Sequence, residues 1–164
     1  MERINEVLVA LRRIIRATDL HSKYLAKNTG LTSPQMLLLQ TLRNKGEDTV
    51  GGVAKEMSLS QATVTTILDR LEKKALVIRE RSTSDRRKVL VYLSDNALEI
   101  LKDAPLPLQE QFTRQFSDLQ DWEQLMIISS LSRIAQMMDA QHIDAAPVLD
   151  VGTLDRQESD SEEK

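Results

Sequence analysis

From Thr49 to Ser94 the chain reads TVGGVAKEMSLSQATVTTILDRLEKKALVIRERSTSDRRKVLVYLS. Thr49 or Val50 to Met57 predicts a short helix. Its Gly51-Gly52 pair lowers intrinsic helicity, so packing must hold it. Ser58-Leu59 reads as a turn, and Ser60 as the N-cap of a second helix reaching Lys74. In that helix Val64, Ile67, Leu68 and Leu71 fall on one face at about 100° per residue, the signature of a buried stripe. The period then changes. Leu76–Arg81 and Val89–Leu93 read as β-strands, with the polar stretch Ser82–Lys88 as an extended hairpin tip between them. Helix, turn, helix, hairpin is the order of a winged helix-turn-helix.

Outward from this unit the pattern is helical. Ile4, Val7, Leu8, Leu11, Ile14 and Ile15 recur at steps of three and four, predicting a helix over residues 4–27 that Gly30 ends. Thr32-Ser33-Pro34-Gln35 opens another, which either Thr32 or Ser33 can cap, Thr32 with a capping-box spacing to Gln35, and with proline in the first turn. Its apolar face is Leu37, Leu38 and Leu42, and Asn44-Lys45-Gly46 stops it. After Ser94, itself a cap, a helix runs from Asp95 to about Ala104. Pro105 and Pro107 interrupt it, and helix resumes to Leu119. Asp121, with Gln124 three residues on, caps a last helix to about Gln141. There Ile127, Leu131, Ile134 and Met138 are spaced almost as heptads. The fold class is therefore mainly α with a small β wing. Residues 1–143 form one domain, with 31–94 as the winged helix and 1–30 and 95–143 as helices suited to dimerisation. Residues 144–164 are acidic, lack periodicity and predict disorder.

Composition narrows the function. The 164 residues contain no cysteine, which excludes disulfides, zinc–thiolate sites and thiol redox chemistry. Two histidines, His21 and His142, stand far apart, and no nucleophile–base pair, metal cluster or phosphate-binding glycine loop is present. No catalytic residue, metal or cofactor is expected. No run approaches a membrane span, so a cytoplasmic protein is expected, with no membrane partner.

The net charge of −3 is unevenly placed. Residues 144–164 hold seven acids and two bases, whereas residues 70–90 hold eight bases and three acids. The positive charge is thus concentrated on the end of the second helix and on the hairpin, as phosphate contact requires. The plain alternative is a solvated charged surface. The helix argues against it: opposite the apolar stripe lie Ala62, Thr66, Asp69 and Lys73, flanked by Thr63, Thr65 and Arg70. Small and hydroxyl side chains allow close approach to base edges, and a thymine methyl packs against Ala or the Thr methyl. Ser60, Gln61, Ala62, Thr63, Thr65, Thr66, Arg70 and Lys73 are the candidate DNA-reading residues. Arg86, Arg87 and Lys88 make the hairpin tip a cationic finger for backbone or minor groove. Asp85 is expected to pair with Arg87, or a nearby base, and so shape the tip.

At these residues the chain resembles the multiple-antibiotic-resistance regulator (MarR) family. Val53–Thr65 is similar to its helix-turn-helix, Leu68-Asp69-Arg70-Leu71-Glu72-Lys73-Lys74 to the end of its recognition helix, and Asp85–Ser94 to its wing signature. The likeness in layout extends over about residues 4–140. Ser58, Ala75 and Ala97 stand where the family usually has glycine. The resemblance implies a triangular homodimer that binds a palindromic operator on double-stranded DNA, acting as a transcriptional repressor. It also implies a small-molecule effector, often phenolic in the family, entering between the dimer and DNA-binding parts. Arg16, His21 and Tyr24 are the candidates to line that cleft, against the plainer reading of structural or exposed residues. Pro105-Leu106-Pro107-Leu108 and Asp144–Leu149 resemble a subgroup controlling osmoprotectant (ectoine-type) synthesis genes. The competing function is a winged-helix scaffold that contacts protein rather than specific DNA.

Overall fold

The computed structural model describes residues 1–143 and 145–155. Its elements, in order, are α1 (Glu2–Thr29), α2 (Ser33–Lys45), β1 (Glu47–Thr49), α3 (Val50–Met57), α4 (Gln61–Lys73), β2 (Val77–Arg81), β3 (Val89–Leu93), α5 (Asp95–Asp103), α6 (Leu108–Ser117) and α7 (Asp121–Met137). The mainly helical fold with a small β wing is as the sequence predicts. Helix starts follow local chemistry. Thr32 accepts from the Gln35 amide while Gln35 Oε1 takes the Thr32 N–H, closing the expected capping box. Thr49, Ser60 and Ser94 cap α3, α4 and α5 through their hydroxyls.

Two details differ from the sequence reading. The sheet has three strands, ordered β1-β3-β2 and antiparallel, because Glu47, Asp48 and Thr49 pair with Tyr92, Val91 and Leu90. The start of α7 falls one residue earlier than expected: Gln120 donates its N–H to Glu123 Oε2 at 2.9 Å. Gln124 instead donates to the carbonyls of Phe116 and Leu119, tying α7 to the end of α6. Residues 145–155, part of the tail expected to be disordered, form no helix or strand. Pro147, Leu149 and Asp150 hydrogen-bond to α6 and α1. The rest of that expectation falls on residues 144 and 156–164, outside the described residues.

Among the described residues, the buried apolar side chains all lie between Leu25 and Leu101. Val64, Ile67, Leu68 and Leu71 of α4 are buried as their spacing predicts, against Leu38, Leu39 and Leu42 of α2, Val53 of α3 and Val91 of β3. Gly52 serves close packing, since a Cβ there would overlap the Asp48 carboxylate. Lys45 ties that corner by reaching Asp48 at 2.9 Å and Glu56 at 3.2 Å. By contrast, α6 and α7 bury no residue.

Two of the positions where the resembled family has glycine take up left-handed backbone: Ser58 at φ 52° and Ala75 at φ 56°. Ala75 carries the chain from α4 into β2, and a Cβ in that conformation costs roughly 1–2 kcal/mol. Glycine removes the clash but loses some of the gain to unfolded-state entropy. Ala75→Gly is therefore expected to stabilise the protein by about 1 kcal/mol, read as a higher urea midpoint at unchanged slope. An unchanged or lower midpoint would show that the turn is not strained.

Candidate nucleic-acid interface

The candidate reading helix α4 is anchored at both ends. Its apolar stripe is in the core, and its first turn is capped by Ser60, whose Oγ accepts from the Thr63 N–H at 3.1 Å and lies 2.8 Å from Thr63 Oγ1. Ser60 and Thr63 thus use their hydroxyls on each other and on the helix terminus. Gln61, Ala62, Thr65 and Lys73 are exposed, while Thr66 and Arg70 are half-buried. Thr66 Oγ1 donates back to the Ala62 carbonyl at 3.1 Å. The structure therefore brings Gln61, Ala62, Thr65, Thr66, Arg70 and Lys73 onto one solvent-facing strip of the helix.

Arg79 is the residue that sequence reasoning missed. It counts as one of the bases of residues 70–90, but from β2 it reaches back to α4. Its guanidinium pairs with Asp69 and lies 3.2 Å from Glu72. The two carboxylates on this side of α4 are thereby partly neutralised, which lowers the repulsion that a phosphate backbone would meet there. The signal was faint: an Arg in a strand and an Asp ten residues earlier meet only once the α4–β2 turn is closed. Lys74 is likewise partly committed, donating to the Gly30 carbonyl at 2.5 Å and so linking the end of α4 to the end of α1.

The wing is built by short polar bonds. Ser82, buried at the base of the tip, donates its N–H to Lys88 O at 2.9 Å, and its Oγ accepts from the Asp85 N–H. The Lys88 N–H returns to Asp85 O at 2.9 Å. Asp85 Oδ1 accepts the backbone N–H of Arg87 at 3.1 Å. Asp85 thus meets the Arg87 backbone rather than its guanidinium, and no ion pair joins it to a base among the described residues. The reason is geometric: an Asx turn is closed by the residue's own loop, which leaves the guanidinium outside. Arg86, Arg87 and Lys88 are exposed, together with Arg81 at the end of β2.

The three candidate effector residues all lie on α1 and are engaged differently. Arg16 is exposed and pairs with Asp19 at 2.7 Å. Tyr24 is exposed on the same helix. His21 is half-buried, and its Nε2 accepts the Leu108 N–H at 3.0 Å, pinning the start of α6 to α1. That bond needs the unprotonated nitrogen. Burial lowers the His21 pKa from the ordinary imidazole value of about 6.5. The folded chain thus binds this proton less readily than the unfolded chain. The stability His21 contributes is present above that ordinary value and is lost as pH falls through the lowered one. The melting temperature is expected to drop on acidification below about pH 6.5, and less so in His21→Gln, whose carbonyl oxygen can accept without titrating. Parallel melting-versus-pH curves for the two proteins would refute this.

Comparison with known proteins follows the same residues. Residues 31–89, from the start of α2 to the first residue of β3, match the MarR family. Over most of its length the chain is similar to the uncharacterised HTH-type transcriptional regulator YsmB of Bacillus subtilis (strain 168), 27% identical over 138 residues that cover 84% of this chain and 94% of the relative. Among solved structures it is similar to Bordetella bronchiseptica BpsR, whose DNA binding is regulated by 6-hydroxynicotinic acid: 28% identity, TM-score 0.55, covering 79% of this chain and 92% of that one. It is also similar to reduced AbfR bound to DNA, with 25% identity and TM-score 0.51, covering 85% of this chain and 96% of the other.

Proposed function

We propose, from the match of residues 31–89 to the MarR family, that the chain is a transcription regulator of that family, a repressor that binds a palindromic operator as a homodimer. The observation that carries the reading is the pairing of two surfaces on one rigid unit. A strip of small and hydroxyl side chains on α4 adjoins Arg79-neutralised carboxylates, and a preformed cationic wing stands beside it. In this reading α4 lies in the major groove. Gln61, Ala62, Thr65 and Thr66 meet base edges. The capped first turn at Ser60 and Thr63 presents backbone N–H groups to a phosphate, and Arg70 and Lys73 contact phosphates further along. Arg86, Arg87 and Lys88 reach backbone or minor groove at the flank.

Dimerisation is supported by the apolar side chains that α1, α6 and α7 leave exposed, among them Ile4, Leu8, Ile15, Phe112, Trp122 and Leu125. Large apolar side chains gathered on the open faces of these helices suit a partner surface. The described helices include none long and apolar enough to cross a membrane, and a cytoplasmic site of action fits a DNA-binding repressor. A small-molecule effector is supported by the BpsR likeness, with Arg16, His21 and Tyr24 of α1 as the candidate lining. Control of osmoprotectant synthesis genes rests on the Pro105–Leu108 and Asp144–Leu149 elements alone. The decisive experiment is genome-wide mapping of the DNA bound by the protein in its host, followed by titration of a recovered site at two salt concentrations. Recovery of a palindrome bound tightly and salt-dependently supports the reading. Salt-independent binding with no preferred site would favour the protein-interaction scaffold instead.

A further inference from the structure

The segment after α7 returns to the body of the protein through Pro147, Leu149 and Asp150. Gln109, in the first turn of α6, grips its backbone with both ends of the side-chain amide. Nε2 donates to Pro147 O at 3.0 Å and Oε1 accepts the Leu149 N–H at 2.8 Å. One residue on, Asp150 Oδ1 accepts from Ser22 Oγ of α1 at 2.9 Å, and Ser22 Oγ lies 3.3 Å from Ser33 Oγ at the start of α2. Val148, Leu149 and Asp150 are half-buried in this seat. The segment therefore bridges α6, which leaves its apolar face open, to the α1–α2 junction, whose Leu25, Leu31 and Met36 belong to the core of the winged unit.

The same junction has a second tie, the His21–Leu108 bond. The two ties differ in how they can open. Breaking the His21–Leu108 bond means moving α6 from α1. The 147–150 segment is held from its side by hydrogen bonds to Gln109 and Ser22 and contributes nothing to the buried core among the described residues, so its release is a local, low-energy opening. We propose that residues 147–150 are a cis latch. Seated, it fixes α6 against the α1–α2 junction; released, it lets the dimer-forming helices shift relative to α4 and the wing, and so changes operator affinity. This rests on the DNA-binding reading above.

The test uses the full chain and three variants: Gln109→Ala, Asp150→Ala and Asp150→Asn. Hydrogen exchange of the Leu149 amide reads the latch directly. It is expected to be about fivefold faster or more in both alanine variants, from the loss of their hydrogen bonds. In Asp150→Asn it should stay near the natural rate, because the amide oxygen still accepts from Ser22. Operator affinity is expected to shift about fivefold or more, in the same direction in both alanine variants, with the double variant no further than either alone. Natural exchange rates in Gln109→Ala would overturn the latch. Faster exchange with unchanged operator affinity would overturn its link to DNA. If the natural chain binds no duplex at all, the DNA-binding reading itself fails, and the exchange rates then decide whether the latch exists.

Discussion

The Arg86→Ala, Arg87→Ala double variant is expected to bind the operator about 10- to 100-fold more weakly than the natural chain at moderate salt. The slope of log affinity against log salt should fall by about 1.8. Both numbers follow from counterion release, in which each neutralised phosphate contributes about 0.9 to the slope of B-DNA binding. The geometry makes these two arginines the right pair to remove. Their side chains are exposed and make no ion pair among the described residues, so folding does not use them. Their loop is nevertheless fixed, by the Ser82–Lys88 and Asp85–Arg87 bonds, so little ordering cost is due on binding. Arg79 is the instructive contrast. It carries the same charge a few residues earlier, but it is spent on Asp69 and Glu72, and its loss would disturb α4 as well as remove a charge. The double variant should therefore keep the natural melting temperature. A salt slope unchanged by the double substitution would remove the wing from the interface, and with it half of the argument for DNA.

What the sequence made legible, and what it hid, divides by the range of the interaction. Caps and stripes are local, within a few residues, so Thr32, Ser60 and Ser94 announced their helices, and Val64, Ile67, Leu68 and Leu71 announced the buried face of α4. Strand β1 gave no such sign. Glu47-Asp48-Thr49 has no apolar alternation, and it becomes a strand only because β3 offers it an open edge. At the start of α7, two acidic or amide spacings competed one residue apart, and the choice fell to Gln120 because Gln124 is engaged with the end of α6. For the candidate site, the exposed strip of α4 and the cationic tip could be seen in sequence. The Asp69–Arg79 pairing, the role of His21 as an acceptor and the seat of the Pro147–Asp150 segment could not. Each joins residues 10 to 128 positions apart, and periodicity carries no information at that range.

The Leu125→Glu, Leu131→Glu double variant is expected to be monomeric at micromolar concentration and to lose about 100-fold or more in operator affinity. In the single chain both leucines are exposed, Leu125 at 65% and Leu131 at 48%, so the substitutions disturb no packing of the monomer. They lie on α7, which buries no residue and presents Trp122, Met126, Ile128 and Met137 to solvent as well. A helix of this length gains little from propensity alone and depends on covering its apolar face. A second chain would cover it, and by two-fold symmetry the double variant would then place four carboxylates at the contact. The desolvation penalty is several kcal/mol for each buried, unpaired ion, more than a standard interface can absorb. DNA affinity follows the assembly, because two linked reading heads gain about 10²- to 10⁴-fold over one from effective concentration alone. Sedimentation and operator titration measure the two effects independently. A dimer that survives both charges would move the dimer contact away from α7. A monomer that still binds its palindrome at natural strength would show that a single winged helix suffices, and would remove the reason for operator symmetry.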